Sequence, residues 1–209
     1  MPYAERTMKN PGVAPALWQS LDGGLWHATN LAGVRGIVQA KEINLSQRSP
    51  TRMPIARQFG AVSLFDFGPS SRWPSVTQMS DARRWLDGRY WRSRVAVWLE
   101  VDRAAVEERL VTQEELRAWW KESPTMGRCV LGVEVGHRGP VPVSKLRGAL
   151  IIDGSRIGVE DTPSVRAHPC VDAMLVEAVE SFYATGHPHP PLRPPQDAMG
   201  EHRLRRSDE

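Results

Sequence analysis

Cysteine and long apolar runs are scarce in this 209-residue chain. Cys129 and Cys170 are its two cysteines and no CxxC pair occurs, which excludes a disulfide framework and favours a reducing compartment. No apolar run approaches the ~18 residues of a membrane span. The first residues, MPYAERTMKN, lack the apolar core of a signal peptide. We therefore expect a cytoplasmic protein with no membrane partner.

Several common catalytic motifs are absent as well. The chain has no Walker A loop, no GxGxxG and no GxSxG, which disfavours ATPase, NAD-dehydrogenase and α/β-hydrolase functions. His187 and His189 form an H-x-H pair near the C-terminus, but no cysteine or acidic cluster accompanies them. We therefore expect no metal site.

Lysine is also rare, because the chain has 23 arginines and four lysines. Residues 35–94 hold ten of those arginines and one lysine against four acidic residues. Arginine suits bidentate phosphate contacts and stacking on bases, so this region fits a phosphate-rich ligand or nucleic acid. Arginine-rich codon usage and a solvated surface explain the same composition, and the sequence leaves both explanations open.

Apolar periodicity and turn residues predict the order of the elements. The predicted strands are the start of the strand–helix unit 24–41, then 60–68, 94–101, 129–135 and 148–153. The predicted helices are the rest of 24–41, then 78–87, 102–110, 113–122 and 169–184. Asn30 is expected to cap the first helix, and Thr112 with Glu115 forms a capping box for another. Residues 44–58 are expected to form a long loop.

This order is not a regular βαβ alternation, so we expect an α+β fold with a split mixed sheet and flanking helices. Residues 1–22 are expected to be a loosely ordered lead-in, and residues 23–185 the folded domain. Residues 186–209 are rich in proline and charge, which predicts a disordered tail.

Two residues, His27 and Glu134, stand out as candidates for chemistry. His27 closes the first strand just before a helix, a position shared by structural core histidines and by ligand-binding ones. Glu134 alternates with Val133 and Val135 and lies between Gly132 and Gly136, which permit close approach of a ligand. A solvated acid on an open sheet face is the simpler interpretation of Glu134. Asp66 is the second candidate carboxylate.

Three stretches read together resemble the motifs of one enzyme group. They are LWHATNLAGVRGIVQAKEINLS, GAVSLFDFG and VLGVEVGHRGPVPVSKLRGALII, in that order over about residues 24–153. They resemble the ADP-ribosyltransferase fold, and most closely the DarT-type nucleic-acid ADP-ribosyltransferase toxins of the diphtheria-toxin-like branch. The resemblance implies an ADP-ribosyltransferase-like split sheet and NAD as the substrate that donates ADP-ribose.

The resemblance also implies roles for individual residues. Glu134 would be the catalytic glutamate, and His27 would bind an NAD ribose hydroxyl. Thr29 would help to hold the nicotinamide side, and Asn30 is counted among the cofactor-binding residues. The aromatic residues Phe65 and Phe67 would be placed to stack on nicotinamide. The resemblance puts Arg48, Arg52 and Arg57 in a loop that covers NAD or meets the substrate, and Arg57 is counted among the expected cofactor contacts.

The function implied is an NAD-dependent ADP-ribosyltransferase, a bacterial or phage toxin or defence effector. Its acceptor is expected to be DNA or RNA rather than protein, and an antitoxin or immunity protein is an expected partner. One alternative is an NAD-dependent enzyme similar to RNA 2′-phosphotransferases, which use more basic residues. Another is a non-catalytic module that binds nucleic acid or protein, with salt-sensitive binding and no affinity for NAD.

Overall fold

The computed structural model describes residues 20–45, 55–68, 95–122, 133–153 and 164–184. These segments form a mixed α+β fold in which one antiparallel sheet carries helices on both faces. The expected α+β class is confirmed, but the described strand pairs of the sheet are antiparallel, so the expected mixed sheet is not observed among them. The predicted helix at 78–87, the predicted tail and most of the predicted lead-in lie outside the described residues.

Nine strands occur in the described part of the chain. They are β1 (Leu25–Thr29), β2 (Glu42–Ile43), β3 (Ala61–Asp66), β4 (Val95–Val101), β5 (Leu110–Val111), β6 (Glu134–Arg138), β7 (Val141–Pro142), β8 (Leu146–Asp153) and β9 (Ser164–His168). Seven of them form the sheet, in the order β5-β6-β3-β1-β4-β8-β9. The short strands β2 and β7 pair separately as a two-stranded ribbon.

Five α-helices are described beside these strands. They are α1 (Leu31–Ala40), α2 (Ile55–Gln58), α3 (Arg103–Val106), α4 (Gln113–Glu122) and α5 (Ala173–Ala184). Short 3₁₀ turns lie at Glu107–Arg109 and Val143–Lys145. The helices α1 and α5 cover one face of the sheet, while α2 and α4 cover part of the other.

The predicted helix caps are confirmed. The side-chain oxygen of Asn30 accepts the N–H of Gly33 at 3.0 Å, which satisfies an otherwise unpaired donor of α1. At α4, Thr112 N donates to Glu115 Oε2 at 2.8 Å and Glu115 N donates to Thr112 Oγ1 at 3.2 Å, the two bonds of a capping box. The helix α1 ends at Lys41, which has a left-handed φ of 62°.

Side-chain alternation gives the sheet two different faces. One face carries Val62, Leu64, Val97 and Leu99 beneath α1 and α5, and these residues belong to the main core. On the other face, a smaller cluster joins α2 to β3, β5 and α4; its members are Ile55, Ala56, Ala61, Val111 and Leu116. The alternation predicted for residues 60–68 is therefore confirmed.

The sheet opens between β1 and β3. All five residues of β1 are paired with β4, whereas β1 and β3, both described in full, share two residue pairs, the second of which sets Trp26 opposite Phe65. Beyond that pair the ladder stops, and the His27 imidazole instead reaches the backbone carbonyl of Ser63. The sheet therefore forks beside His27.

The predicted strand at 129–135 was wrong in its C-terminal boundary. Residues 136–138 continue β6, and the chain turns at Gly139, whose φ is 83°. Gly136 lies in the ladder and is packed closely by its neighbours: a Cβ at this position would come within 3.1 Å of the Ala61 Cβ and 3.3 Å of the Val111 Cβ. This glycine permits close packing rather than a turn.

Other elements also differ from the sequence prediction. Residues 55–58, predicted as loop, form α2, because Ile55 and Ala56 are buried in the smaller cluster. The last helix begins at Ala173 rather than at residue 169, because Asp172 Oδ1 accepts the N–H groups of Met174 and Leu175 and so caps it. The strands β2, β5, β7 and β9 were not predicted.

Candidate active site

Glu134 is the first residue of β6 and is almost fully buried, with 1 % of its surface exposed. Its Oε1 accepts two hydrogen bonds, from the hydroxyl of Ser63 at 3.2 Å and from the backbone N–H of Ala56 at 3.3 Å. A buried carboxylate is costly unless such donors compensate for lost hydration. The simpler interpretation of Glu134 as a solvated acid on an open face is therefore wrong.

His27 is also buried, with 4 % of its surface exposed. Its Nδ1 lies 3.0 Å from the carbonyl oxygen of Ser63. A carbonyl can only accept, so Nδ1 carries a proton and donates it, and Nε2 of the neutral ring is a hydrogen-bond acceptor. The pKa of His27 is lowered to about 4, mainly by burial; the hydrogen bond to Ser63 opposes this shift, and the nearby Arg57 charge adds to it. The ring is therefore neutral near pH 7.

Ser63 connects these two groups. Its side chain and that of Phe65 lie on the same face of the sheet as Glu134, while His27 starts from the opposite face. At the fork between β1 and β3, the Ser63 carbonyl binds His27 and the Ser63 hydroxyl binds Glu134. The structure thus brings the two predicted residues together through a third, which the sequence analysis missed.

This cluster differs from the Ser–His–acid arrangement of hydrolases. There, the histidine ring accepts the proton of the serine hydroxyl and the acid binds the other side of the ring. Here the Ser63 hydroxyl donates directly to Glu134, and the Nδ1 of His27 donates to a backbone carbonyl. The described geometry therefore offers a held carboxylate and a neutral hydrogen-bond acceptor, rather than an activated serine.

Arg57 supplies positive charge beside the cluster. It lies on α2 and is half-buried. Burial lowers the pKa of Arg57, and the negative charge of Glu134 acts in the opposite direction. Arg57 also lowers the pKa of His27, so its charge acts on both groups that are bonded to Ser63, His27 and Glu134. Arg48 and Arg52 lie outside the described residues.

Thr29 and Asn30 lie at the start of α1, next to His27 in sequence. Asn30 uses its side-chain oxygen to cap the helix, as described above. Thr29 is half-buried, and its hydroxyl occupies the space where a Cβ on Gly33 would lie. The first turn of α1 therefore packs tightly against the end of β1. The contact of Thr29 and Asn30 with NAD stays a prediction.

Phe65 and Phe67 lie in a buried aromatic cluster. Their ring centroids are 5.2 Å and 6.0 Å from that of Trp98, both in edge-on arrangements. Phe65 stands directly opposite Glu134 in the ladder between β3 and β6. The structure thus places one of the two rings beside the candidate carboxylate. Stacking on nicotinamide stays a prediction for both.

Asp66, the second candidate carboxylate, has a different environment. Both of its oxygens accept hydrogen bonds from the guanidinium of Arg103, and Oδ1 also accepts the N–H of Gly68 at 2.7 Å. By alternation along β3, its side chain lies on the face opposite that of Ser63. Asp66 therefore ties β3 to α3 and does not join the Glu134 cluster.

The exposed arginines of the described segments are mostly paired with acids. Three such ion pairs are Arg35 with Glu180, Arg138 with Glu115, and Arg147 with Asp102. Exposed pairs of this kind contribute little to stability, ~0–1 kcal/mol each. Most of the arginine-rich region 35–94 lies outside the described residues, so the basic surface predicted there stays a prediction.

Comparisons with known proteins add no relative. No protein-family model matches the chain, and a search of curated proteins gives no significant match.

Within the described segments, no group of three or more His, Cys, Asp or Glu side chains is arranged to hold a metal ion. The described helices include none that is both long and apolar enough to cross a membrane.

Proposed function

We propose that the chain is an NAD-dependent ADP-ribosyltransferase that modifies a nucleic acid, and that its forked sheet is the split sheet of an ADP-ribosyltransferase-like fold. One observation carries the proposal: a buried carboxylate, Glu134, and a neutral imidazole, His27, are both hydrogen-bonded to Ser63 at the fork. The resemblance assigns the same two residues to NAD chemistry.

Glu134 suits the bond-breaking step. When the bond between ribose C1′ and the nicotinamide nitrogen breaks, its electron pair leaves with nicotinamide and positive charge develops on the sugar, as in glycoside hydrolysis. A fixed carboxylate stabilises that charge, and low local polarity strengthens the effect. Its two hydrogen bonds and its burial support this role for Glu134.

His27 and Arg57 suit the binding of the rest of NAD. The Nε2 of His27 is an acceptor, so the ligand group it binds must be a donor, such as a ribose hydroxyl. Arg57 carries a half-buried positive charge, which suits a pyrophosphate oxygen. Both assignments therefore match the two kinds of polar group that NAD presents next to its nicotinamide end.

In the transfer step, an oxygen or nitrogen of the acceptor forms a bond to C1′ and passes its proton to Glu134, which then releases it to water. The ten arginines of residues 35–94 support a nucleic-acid acceptor, DNA or RNA. Modification of nucleic acid would make the protein a toxin or defence effector, and such a protein needs a neutralising antitoxin or immunity partner.

The test uses NAD labelled with ³²P in its adenylate phosphate. The full chain is incubated with labelled NAD and single-stranded DNA, duplex DNA, RNA or cell lysate, and label transfer and nicotinamide release are both measured. We expect label in nucleic acid. We also expect Glu134→Gln to lower the rate of nicotinamide release by about 100-fold or more.

The matched control is Glu177→Gln, which removes an exposed carboxylate from α5 and should leave the rate unchanged. Absence of nicotinamide release from the unmodified chain would refute the proposal, as would equal rates with and without the Glu134 carboxylate. Salt-sensitive binding of nucleic acid without NAD cleavage would instead indicate a non-catalytic binding module.

A further inference from the structure

Ser63 lies in the middle of β3 and is buried, with 4 % of its surface exposed. Neither its burial nor its position in an apolar strand requires a hydroxyl. The residue directly opposite it on β6 is Gly136, which has no side chain, and Glu134 lies two residues away on the same face of that strand. Its hydroxyl donates to Glu134 Oε1, and its carbonyl accepts the His27 Nδ1 proton.

We infer that Ser63 is a positioning residue that orients the Glu134 carboxylate through its hydroxyl and the His27 ring through its backbone carbonyl. The inference rests on the proposed function, because it assigns to Ser63 a part in NAD cleavage.

The geometry explains why the hydroxyl matters. Two donors, the Ser63 hydroxyl and the Ala56 N–H, converge on the same oxygen of Glu134 and restrict rotation of its carboxylate. A group that acts on a reacting sugar must be held within a fraction of an ångström of its working position. Removing the Ser63 hydroxyl takes one donor away from Oε1 and loosens the hold on the carboxylate while leaving it in the site.

A mutation of Ser63 can remove one of its two contacts and keep the other, because one is made by the side chain and one by the backbone. In Ser63→Ala the hydroxyl is lost, but the backbone carbonyl still accepts the His27 proton. Positioning of Glu134 should therefore be impaired while the His27 contact with substrate is kept. The signature is a fall in kcat with little change in KM, because only the interaction made in the transition state is weakened.

The experiment measures kcat and KM for nicotinamide release by the full chain. For Ser63→Ala we expect kcat to fall about 10- to 100-fold and KM to stay within about twofold. Ser63→Thr restores a hydroxyl at the same position and should recover most of the lost kcat. The matched control is Ser181→Ala, which removes a serine hydroxyl from α5 on the opposite face of the sheet and should change neither constant.

The possible outcomes are distinguishable. If the unmodified chain releases no nicotinamide, the proposed function fails and the role of Ser63 fails with it. If the unmodified chain is active and Ser63→Ala keeps its kcat, or loses kcat without recovery in Ser63→Thr, the inference alone is overturned. Should Ser63→Ala unfold at the assay temperature, Ser63→Cys, which keeps the size and a weak donor, must show a kcat reduced at constant KM.

Discussion

Glu134 stands directly opposite Phe65 across the ladder between β3 and β6. The Phe65 ring in turn packs edge-on against the buried Trp98, 5.2 Å between centroids. The candidate carboxylate therefore has an aromatic, water-poor environment on one side and hydrogen-bond donors on the other. Electrostatic interactions are stronger in such surroundings, so small changes in nearby charge should have measurable effects.

The first prediction concerns the pH dependence of stability. The pKa of His27 is about 4 in the folded protein, below its ordinary value of 6.5, so between these two values the unfolded state binds a proton that the folded state does not. Stability contributed by the neutral ring is complete above pH 6.5 and falls as pH decreases to about 4. The limit of this loss is about 3 kcal/mol.

The measurement compares urea unfolding of the unmodified chain and of His27→Asn at pH 7, 5.5 and 4.5. Asparagine can place a donor near Ser63 but does not titrate. The His27→Asn protein should therefore lose less stability between pH 7 and 4.5 than the unmodified chain, and the difference should be most of the ~3 kcal/mol. Identical pH profiles for the two proteins would contradict the buried neutral state of His27.

The second prediction concerns Arg57. Its positive charge disfavours a second positive charge on His27, so Arg57→Gln should raise the pKa of His27. Burial is the larger cause of the lowered value, and the pKa should therefore stay below 6.5. An NMR titration of the His27 imidazole in the unmodified chain and in Arg57→Gln measures the two pKa values. An unchanged pKa would mean that the guanidinium does not act on this ring.

The third prediction concerns ligand binding at the same residue. A ligand that binds the folded state raises the melting temperature by linkage. NAD should therefore raise the Tm of the unmodified chain, and Arg57→Gln should lose most of the shift because the pyrophosphate loses its cation. The matched control is Arg117→Gln on α4. Equal shifts in all three proteins would argue against Arg57 as a pyrophosphate ligand.

The fourth prediction concerns the packing of Gly136. In Gly136→Ala the new methyl group would lie 3.1 Å from the Cβ of Ala61 and 3.3 Å from that of Val111. Overpacking of this kind typically destabilises by about 1–3 kcal/mol. Urea unfolding should show this loss, and adding Ala61→Gly should recover part of it by removing the nearest atom. Additive effects of the two substitutions would contradict a direct clash.

The fifth prediction concerns the end of α1. Lys41 has a φ of 62°, which suits glycine better than a residue with a Cβ. Lys41→Gly should therefore stabilise the protein by about 0.5–1 kcal/mol. Lys41→Ala removes the same charge but keeps the Cβ, and it should give no such gain in thermal unfolding. A gain in both variants would assign the effect to charge instead.

Local sequence patterns predicted the features whose causes are local. The cap at Asn30 and the capping box at Thr112 depend on residues three positions away, so their spacing is visible in the sequence. The alternation of β3 was visible for the same reason. By contrast, the end of β6 and the helical turn at residues 55–58 depend on packing between distant segments.

In the candidate site, too, the features with local causes were predictable and those that depend on distant segments were not. His27 and Glu134 could be selected as candidates, but the burial of Glu134 depends on Ala56, which lies 78 positions away in sequence and covers the carboxylate from α2. Ser63 could not be selected, because a serine in an apolar strand has no local mark of function. Its importance arises from the fork, where a carbonyl without a strand partner is available to an imidazole.

The ribbon of β2 and β7 connects the chain segments that carry His27 and Glu134. From His27 the chain runs through α1 to β2; β2 pairs with β7, and β7 follows β6, which begins at Glu134. Ser63 completes the circuit by binding both His27 and Glu134. The separation of the two groups is thus fixed along two independent routes. An inserted residue in α1 would turn β2 by about 100° and break the circuit, so the length of that helix determines the spacing of the two groups.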